Sequence, residues 1–199
     1  DTAAQLYDFI FAAPMENEGD RAMVSAVRDA GNVYFGLSFR LTENAGRPPR
    51  RPDNLSAEAL AYLDASKWRI RVEGDPNDIP RGTDPISTLP ELAAASRGLG
   101  FLNVRFDPDA VFRRTPLIVR YGDAFYPSLP FRAVCDYLGV TPDRIVLRPG
   151  EALLLKGAKG PKEEKARDIA IPIDQAGQMR VNFIGPWGRM RHYHFSDVL

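Results

Sequence analysis

The sequence predicts an α/β fold: a single domain over residues 1–199, with a βαβ element near the N-terminus and a mixed sheet completed by antiparallel hairpins. Three observations carry this. Apolar runs of strand length alternate with runs of helical period, and Gly, Pro, Asp and Asn punctuate the joins. No segment repeats another. With 44% hydrophobic and 10% aromatic residues, a chain of this length can bury a real core.

Leu6–Phe11 is a short apolar run before Pro14 and reads as the end of a strand. Asp20 stands where an N-cap would, ahead of Ala22, Met23, Ala26 and Val27 at helical spacing, and Gly31-Asn32 closes that helix. Val33–Phe39 follows as a buried strand, and strand–helix–strand with short links favours parallel pairing. Residues 43–55 are loop by composition; Arg47, Arg50 and Arg51 could meet a phosphate, but a solvated loop is the plainer reading. Ser56 caps a helix through Leu60 and Leu63, with Glu58 suiting its dipole. Trp68–Val72 alternates as a half-exposed strand, and Gly74–Pro85 reads as loop throughout.

Thr88-Leu89-Pro90-Glu91 has the form of a capping box opening a helix that stops at Gly98. Gly100–Phe106 and Val111–Tyr121, joined by the turn-forming Asp107-Pro108-Asp109-Ala110, read as a hairpin. Pro127-Ser128 starts a helix ending at Gly139. A second hairpin spans Arg144–Arg148 and Ala152–Leu155 around Pro149-Gly150. Lys156–Arg167, charged and without apolar period, reads as a mobile loop. Ile169–Asp174 and Met179–Ile184 form a third hairpin, which Gly185-Pro186 ends.

Function classes narrow quickly. Lys plus Arg and Asp plus Glu both total 26, so the basic surplus of a nucleic-acid binder is missing. No apolar run reaches the roughly 18 residues a membrane span needs. The single cysteine, Cys135, rules out an intrachain disulfide or CxxC pair, and its amphipathic setting suits a small buried hydrophobe. His192 and His194 have a spacing usable for a metal, but no third ligand stands nearby in sequence. Walker, dinucleotide, HExxH and GxSxG motifs are missing, so an enzyme would have to work through carboxylates. Asp107-x-Asp109 resembles half a calcium loop, but Val111, Phe112 and Arg113 follow where further ligands should stand, which favours a turn.

Leu99-Gly100-Phe101-Leu102-Asn103-Val104, Asp107-Pro108-Asp109, Arg113-Arg114, Pro116-Leu117 and Tyr126-Pro127-Ser128-Leu129 together resemble the type-two CHASE domain, a cyclase/histidine-kinase-associated sensory extracellular domain. Tyr7–Phe11, Pro14 and Gly19–Val33 are similar to its N-terminal part; Ile171–Asp174, Gly177, Val181–Phe183, Gly185-Pro186 and Phe195–Leu199 are similar to its C-terminal part. The pieces are short, and their order along nearly the whole chain makes the resemblance specific. Three departures stand out. Leu199 falls one residue early, the family's upstream strand and helix are missing, and Ala110 stands where the family usually has Gly, which implies a different turn type.

The resemblance implies a sensor and not a catalyst, on the outer face of the bacterial cytoplasmic membrane. Membrane helices and a cytoplasmic cyclase or kinase are expected in the same polypeptide. No cofactor is expected, and the charge balance argues against nucleic acid as a partner; a homodimer is expected because such outputs work in pairs. The signal would be a small molecule or a protein. Its candidate contacts are Asn103, Asp107, Asp109, Arg113 and Arg114 in the first hairpin, with Tyr126 and Ser128. Turn-fixing and helix-capping roles for these residues are the plainer alternative. The runner-up is a small hydrolase using acidic residues, metal-assisted through His192 and His194; a spacer without a ligand is the third reading.

Overall fold

A computed structural model describes residues 2–14, 18–42 and 55–192. The expected loop over 43–55, with its three arginines, and the run from Tyr193 onward, His194 included, lie almost wholly outside the described residues. No described helix is long and apolar enough to cross a membrane.

The βαβ unit forms as expected. Strand β1 (Gln5–Tyr7) runs parallel to β2 (Val33–Thr42), and α1 (Glu18–Ala30) makes the crossover. The helix starts before Asp20, which therefore stands in the first turn, where its charge faces the positive end of the dipole, and not at the cap. Gly31, at φ 66°, takes the left-handed conformation that lets the chain leave the helix. Helix α2 (Ala57–Ala65) is capped by Ser56, whose side chain accepts a hydrogen bond from Ala59 N at 3.1 Å. Of the strand expected at 68–72, only β3 (Arg71–Val72) joins a ladder, and Trp68 forms an isolated bridge with Phe125.

The segment expected to be loop up to Pro85 contains a strand. β4 (Arg81–Ser87) pairs antiparallel with β2, and a bulge reconciles its turn-like composition with the ladder. Ser38 faces Ile86 while Arg40 faces Thr83, so β4 carries one residue more between these rungs. Asp84, at φ 47°, and Pro85 occupy that irregularity. Helix α3 (Pro90–Ala95) is not opened by the expected capping box. Pro90 takes the first helical position, Leu89 becomes the cap, and the Thr88 hydroxyl is buried one residue too early to serve.

The first expected hairpin does not form. β5 (Gly98–Phe101) runs parallel to β2, residues 102–113 form no strand, and β6 (Arg114–Pro116) pairs elsewhere. Its turn survives: Ala110 N donates to Asp107 O at 2.8 Å, and Asp107 N to Val111 O at 3.1 Å. A hairpin instead joins β7 (Ile118–Tyr121) to β8 (Ala124–Pro127) across Gly122-Asp123, with Gly122 at φ 61°. Helix α4 (Leu129–Tyr137) follows, ending before Gly139. The second expected hairpin forms from β9 (Ile145–Arg148) and β10 (Ala152–Ala158). β10 extends past Lys156 to pair with β11 (Arg167–Pro172), shortening the expected loop to residues 159–166. The third hairpin keeps its turn but not its ladder. β12 (Gln178–Arg180) crosses to β6, so Arg180 faces Arg114.

Among the described residues these strands make a six-stranded mixed sheet (β1-β2-β4-β7-β8, with β5 on β2), a four-stranded sheet (β11-β10-β9-β3) and the β12-β6 pair. One apolar cluster gathers Phe35, Leu37, Leu99, Phe101 and Val119; another gathers Trp68, Ile118, Ile145, Leu147, Leu153 and Leu155. Helix α4 sends Phe131 and Cys135 into the second, and Leu129 and Ala133 into a small group around Tyr34. Cys135 is fully buried, as its setting predicts, and burial first, then Asp136, pushes its thiol up to about 12.

Candidate functional site

The Gly100-to-Arg114 segment owes its shape to backbone demands. A Cβ at Gly100 would lie 2.6 Å from Leu129 N, so only glycine lets β5 approach the start of α4 this closely. Past β5, Leu102 N donates to Leu37 O at 2.9 Å, and two residues further along β2 the Asn103 amide takes over. Its Oδ1 accepts from Phe39 N at 2.9 Å and its Nδ2 donates to Phe39 O at 2.6 Å. A side-chain amide thus stands in for a strand residue, a pairing that needs both a donor and an acceptor.

The two aspartates close a charged turn. Arg113 holds Asp109 through two 2.8 Å bonds and reaches Asp107 Oδ2 at 3.1 Å, while Arg114 approaches Asp107 Oδ1 at 3.7 Å. Asp109 also accepts from Val111 N at 3.2 Å. The Arg113 hydrogen bonds, then that backbone bond, bring the Asp109 carboxyl down to about 2, and the two aspartates raise Arg113. Ala110 takes the left-handed backbone, at φ 60°, that glycine would adopt.

Tyr126 and Ser128 are placed differently. Tyr126 is buried against Phe39 and Tyr121, ring centroids 5.3 and 5.9 Å away, and burial raises its hydroxyl pKa. Ser128 is buried at the cap position of α4, bridged to Phe101, and makes no side-chain cap bond. Asn103, Asp107, Asp109 and Arg113 thus lie in one loop with Arg114 at the start of β6; the aspartates and arginines engage one another and Asn103 engages β2, while Tyr126 and Ser128 sit in the adjoining core. His192 is exposed. Among the described residues no three His, Cys, Asp or Glu side chains are placed to hold a metal.

Two cavities stand out. An apolar groove of about 800 Å³ between β1 and α1, walled by Tyr7, Phe9, Phe11, Met23 and Val27, offers little polar anchoring. The other, about 230 Å³, opens at the end of the six-stranded sheet, where Thr42, Arg81 and Arg105 meet the Asn77–Pro80 loop. Thr42 faces Arg81 across β2 and β4, and Arg81 faces Arg120 across β4 and β7, so the three share one face of the sheet. Arg120 donates to Pro76 O at 3.0 Å and to Asn77 Oδ1 at 3.4 Å, tying down the loop that walls the cavity. Burial, then the charge of Arg81, lowers the Arg120 pKa, and Asp75 opposes this. Arg81 Nε is buried without a hydrogen-bond partner among the described residues. Sequence reasoning missed this constellation, because Arg81 lies in the Gly74–Pro85 segment and meets Thr42 and Arg120 only through strand pairing.

Neither a curated protein nor a solved structure matches the chain significantly. The family model of the CHASE2 domain matches residues 1–199, the whole chain. With that span and the mixed α/β architecture together, the chain belongs to the CHASE2 domain family, whose members are extracellular sensory domains of signalling proteins.

Proposed function

We propose that this domain is the signal-input unit of a membrane-bound signalling protein, coupling a small-molecule or protein signal to a cytoplasmic cyclase or kinase. The unit is residues 1–199, on the outer face of the bacterial cytoplasmic membrane, joined to membrane helices in the parent polypeptide and working as a homodimer. The observation that carries this reading is the family match over the whole chain. Physically, the signal must bind one conformation of the domain better than another, since only that difference shifts an output.

The test is made on the parent polypeptide in membrane vesicles. Cyclase or autokinase activity is measured with residues 1–199 present and deleted, and with conditioned medium or candidate signals added. Output that responds only when the domain is present supports the reading; output indifferent to its deletion overturns it. Native mass spectrometry of the domain, beside a denatured control, detects a retained molecule and the dimer. If the signal meets the Asp107–Arg114 loop, Arg114→Gln alters the response with little loss of stability, because its ion pair with Asp107 is long and its side chain half exposed.

A further inference from the structure

We propose that the cavity bounded by Thr42, Arg81, Arg105 and the Asn77–Pro80 loop is a binding site for a small oxyanion, a carboxylate or inorganic phosphate. Like charges set directly opposite on neighbouring strands repel, and Arg81 and Arg120 are such a pair. Neither forms an ion pair among the described residues. Arg120 reaches only neutral acceptors, Pro76 O and Asn77 Oδ1, and Arg81 Nε has no partner. A buried N–H without an acceptor is a standing penalty. An oxyanion in the cavity would supply the negative charge that both guanidiniums lack; it would act on Arg81 as a charge, since Nε itself is closed off from the cavity. Arg105 also stands in the lining, and the Asn77 amide adds a neutral polar group; the Thr42 hydroxyl donates to Arg81 O at 3.3 Å.

The lining also limits what enters. Ile79 and Pro80 are buried, so the wall is almost wholly polar, and about 230 Å³ admits a phosphate or a short organic acid but not a nucleotide. Asp78, the acidic residue of the lining, opposes any anion, and the guanidinium charge has to outweigh it. Because β2 and β4 line the cavity and Arg120 of β7 anchors its loop, ligand capture ties three strands of the main sheet together through that loop. This gives the sensory reading a ligand class and rests on it for its biological meaning, but binding itself is measured independently of signalling.

The experiment is a titration of the isotope-labelled domain with sodium acetate or sodium phosphate at millimolar concentration. Ionic strength is matched with sodium chloride, and amide resonances and the melting temperature are followed. Expected are saturable shifts centred on residues 77–81 and 120, with a raised melting temperature. Arg81→Met should weaken the effect about 10-fold or more, the scale of a lost charged hydrogen bond. If Arg81→Met does not fold, Arg81→Lys, which keeps the charge but loses the planar fork, should still weaken it. Stronger binding of acetate identifies an organic acid as the ligand class, and stronger binding of phosphate a phosphate. Shifts no larger than chloride produces, or an Arg81 variant binding as tightly as the original, overturn the site. Intact binding with no effect on the parent protein's output would leave the site standing and overturn the anion as the signal, whereas the sensory reading stands or falls on deletion of the domain.

Discussion

At residue scale, Ala110 and Asp109 show the clearest tension between side chain and backbone. A left-handed conformation costs an L-residue roughly 1–2 kcal/mol, while glycine gives back roughly 0.5–1 through its freer unfolded chain. Ala110→Gly should therefore stabilise the protein by about 0.5–1 kcal/mol, seen as a melting temperature a few degrees higher. The glycine that the resemblance leads one to expect at this point has a physical reason, and the alanine is the less comfortable residue. Asp109 makes a pH prediction. Its carboxyl is lowered from 3.8 to about 2, chiefly by Arg113, so its contribution is full above pH 4 and disappears as pH falls towards 2. The stability difference between the original protein and Asp109→Asn should shrink over that window in acid titrations of unfolding. A constant difference from pH 5 to 2 would contradict the assignment. The turn was legible, since Asp-Pro-Asp-Ala carries its own chemistry. The doubly bonded Arg113 was not, because only the folded loop sets the fork against its carboxylate.

At the scale of elements, local patterns were legible and distant pairings were not. The βαβ unit and the β9–β10 hairpin each declare themselves within a short stretch, through Gly31 in one and Pro149-Gly150 in the other. β4 was hidden because its bulge places Asp84 and Pro85, residues typical of loops, inside a ladder. The expected partner of the Gly100 strand was wrong for a related reason: alternation identifies a strand but not its neighbour, and β5 lies parallel on β2. Asn103 is the joint between that strand and the loop beyond. Asn103→Ala should strand both polar groups of Phe39 and destabilise the protein by about 1–3 kcal/mol. Hydrogen exchange should locate the loss at Phe39. Unaltered exchange there would mean that the amide is not holding the strand.

For the whole molecule, α4 is held from two sides, with Phe131 and Cys135 in one apolar cluster and Leu129 and Ala133 against Tyr34. Tyr34 Oη donates to Asp136 Oδ2 at 3.0 Å, and Arg132 Nε reaches the same oxygen at 3.0 Å, so polar bonds reinforce the helix's attachment to β2. Cys135 should therefore react with a thiol reagent only when the whole domain opens. Its labelling rate should follow global unfolding through a denaturant series; fast labelling in native buffer would mean that α4 detaches alone. The β6–β12 pair has a consequence for how the molecule is made. Arg114–Pro116 waits for Gln178–Arg180, and among the described residues no earlier segment takes its place in that ladder. A chain emerging N-terminus first, from a ribosome or through a translocation channel, therefore carries an unmatched strand edge until β12 follows it out. The interval before Arg180 arrives is when a chaperone, or another nascent copy, has something to grasp.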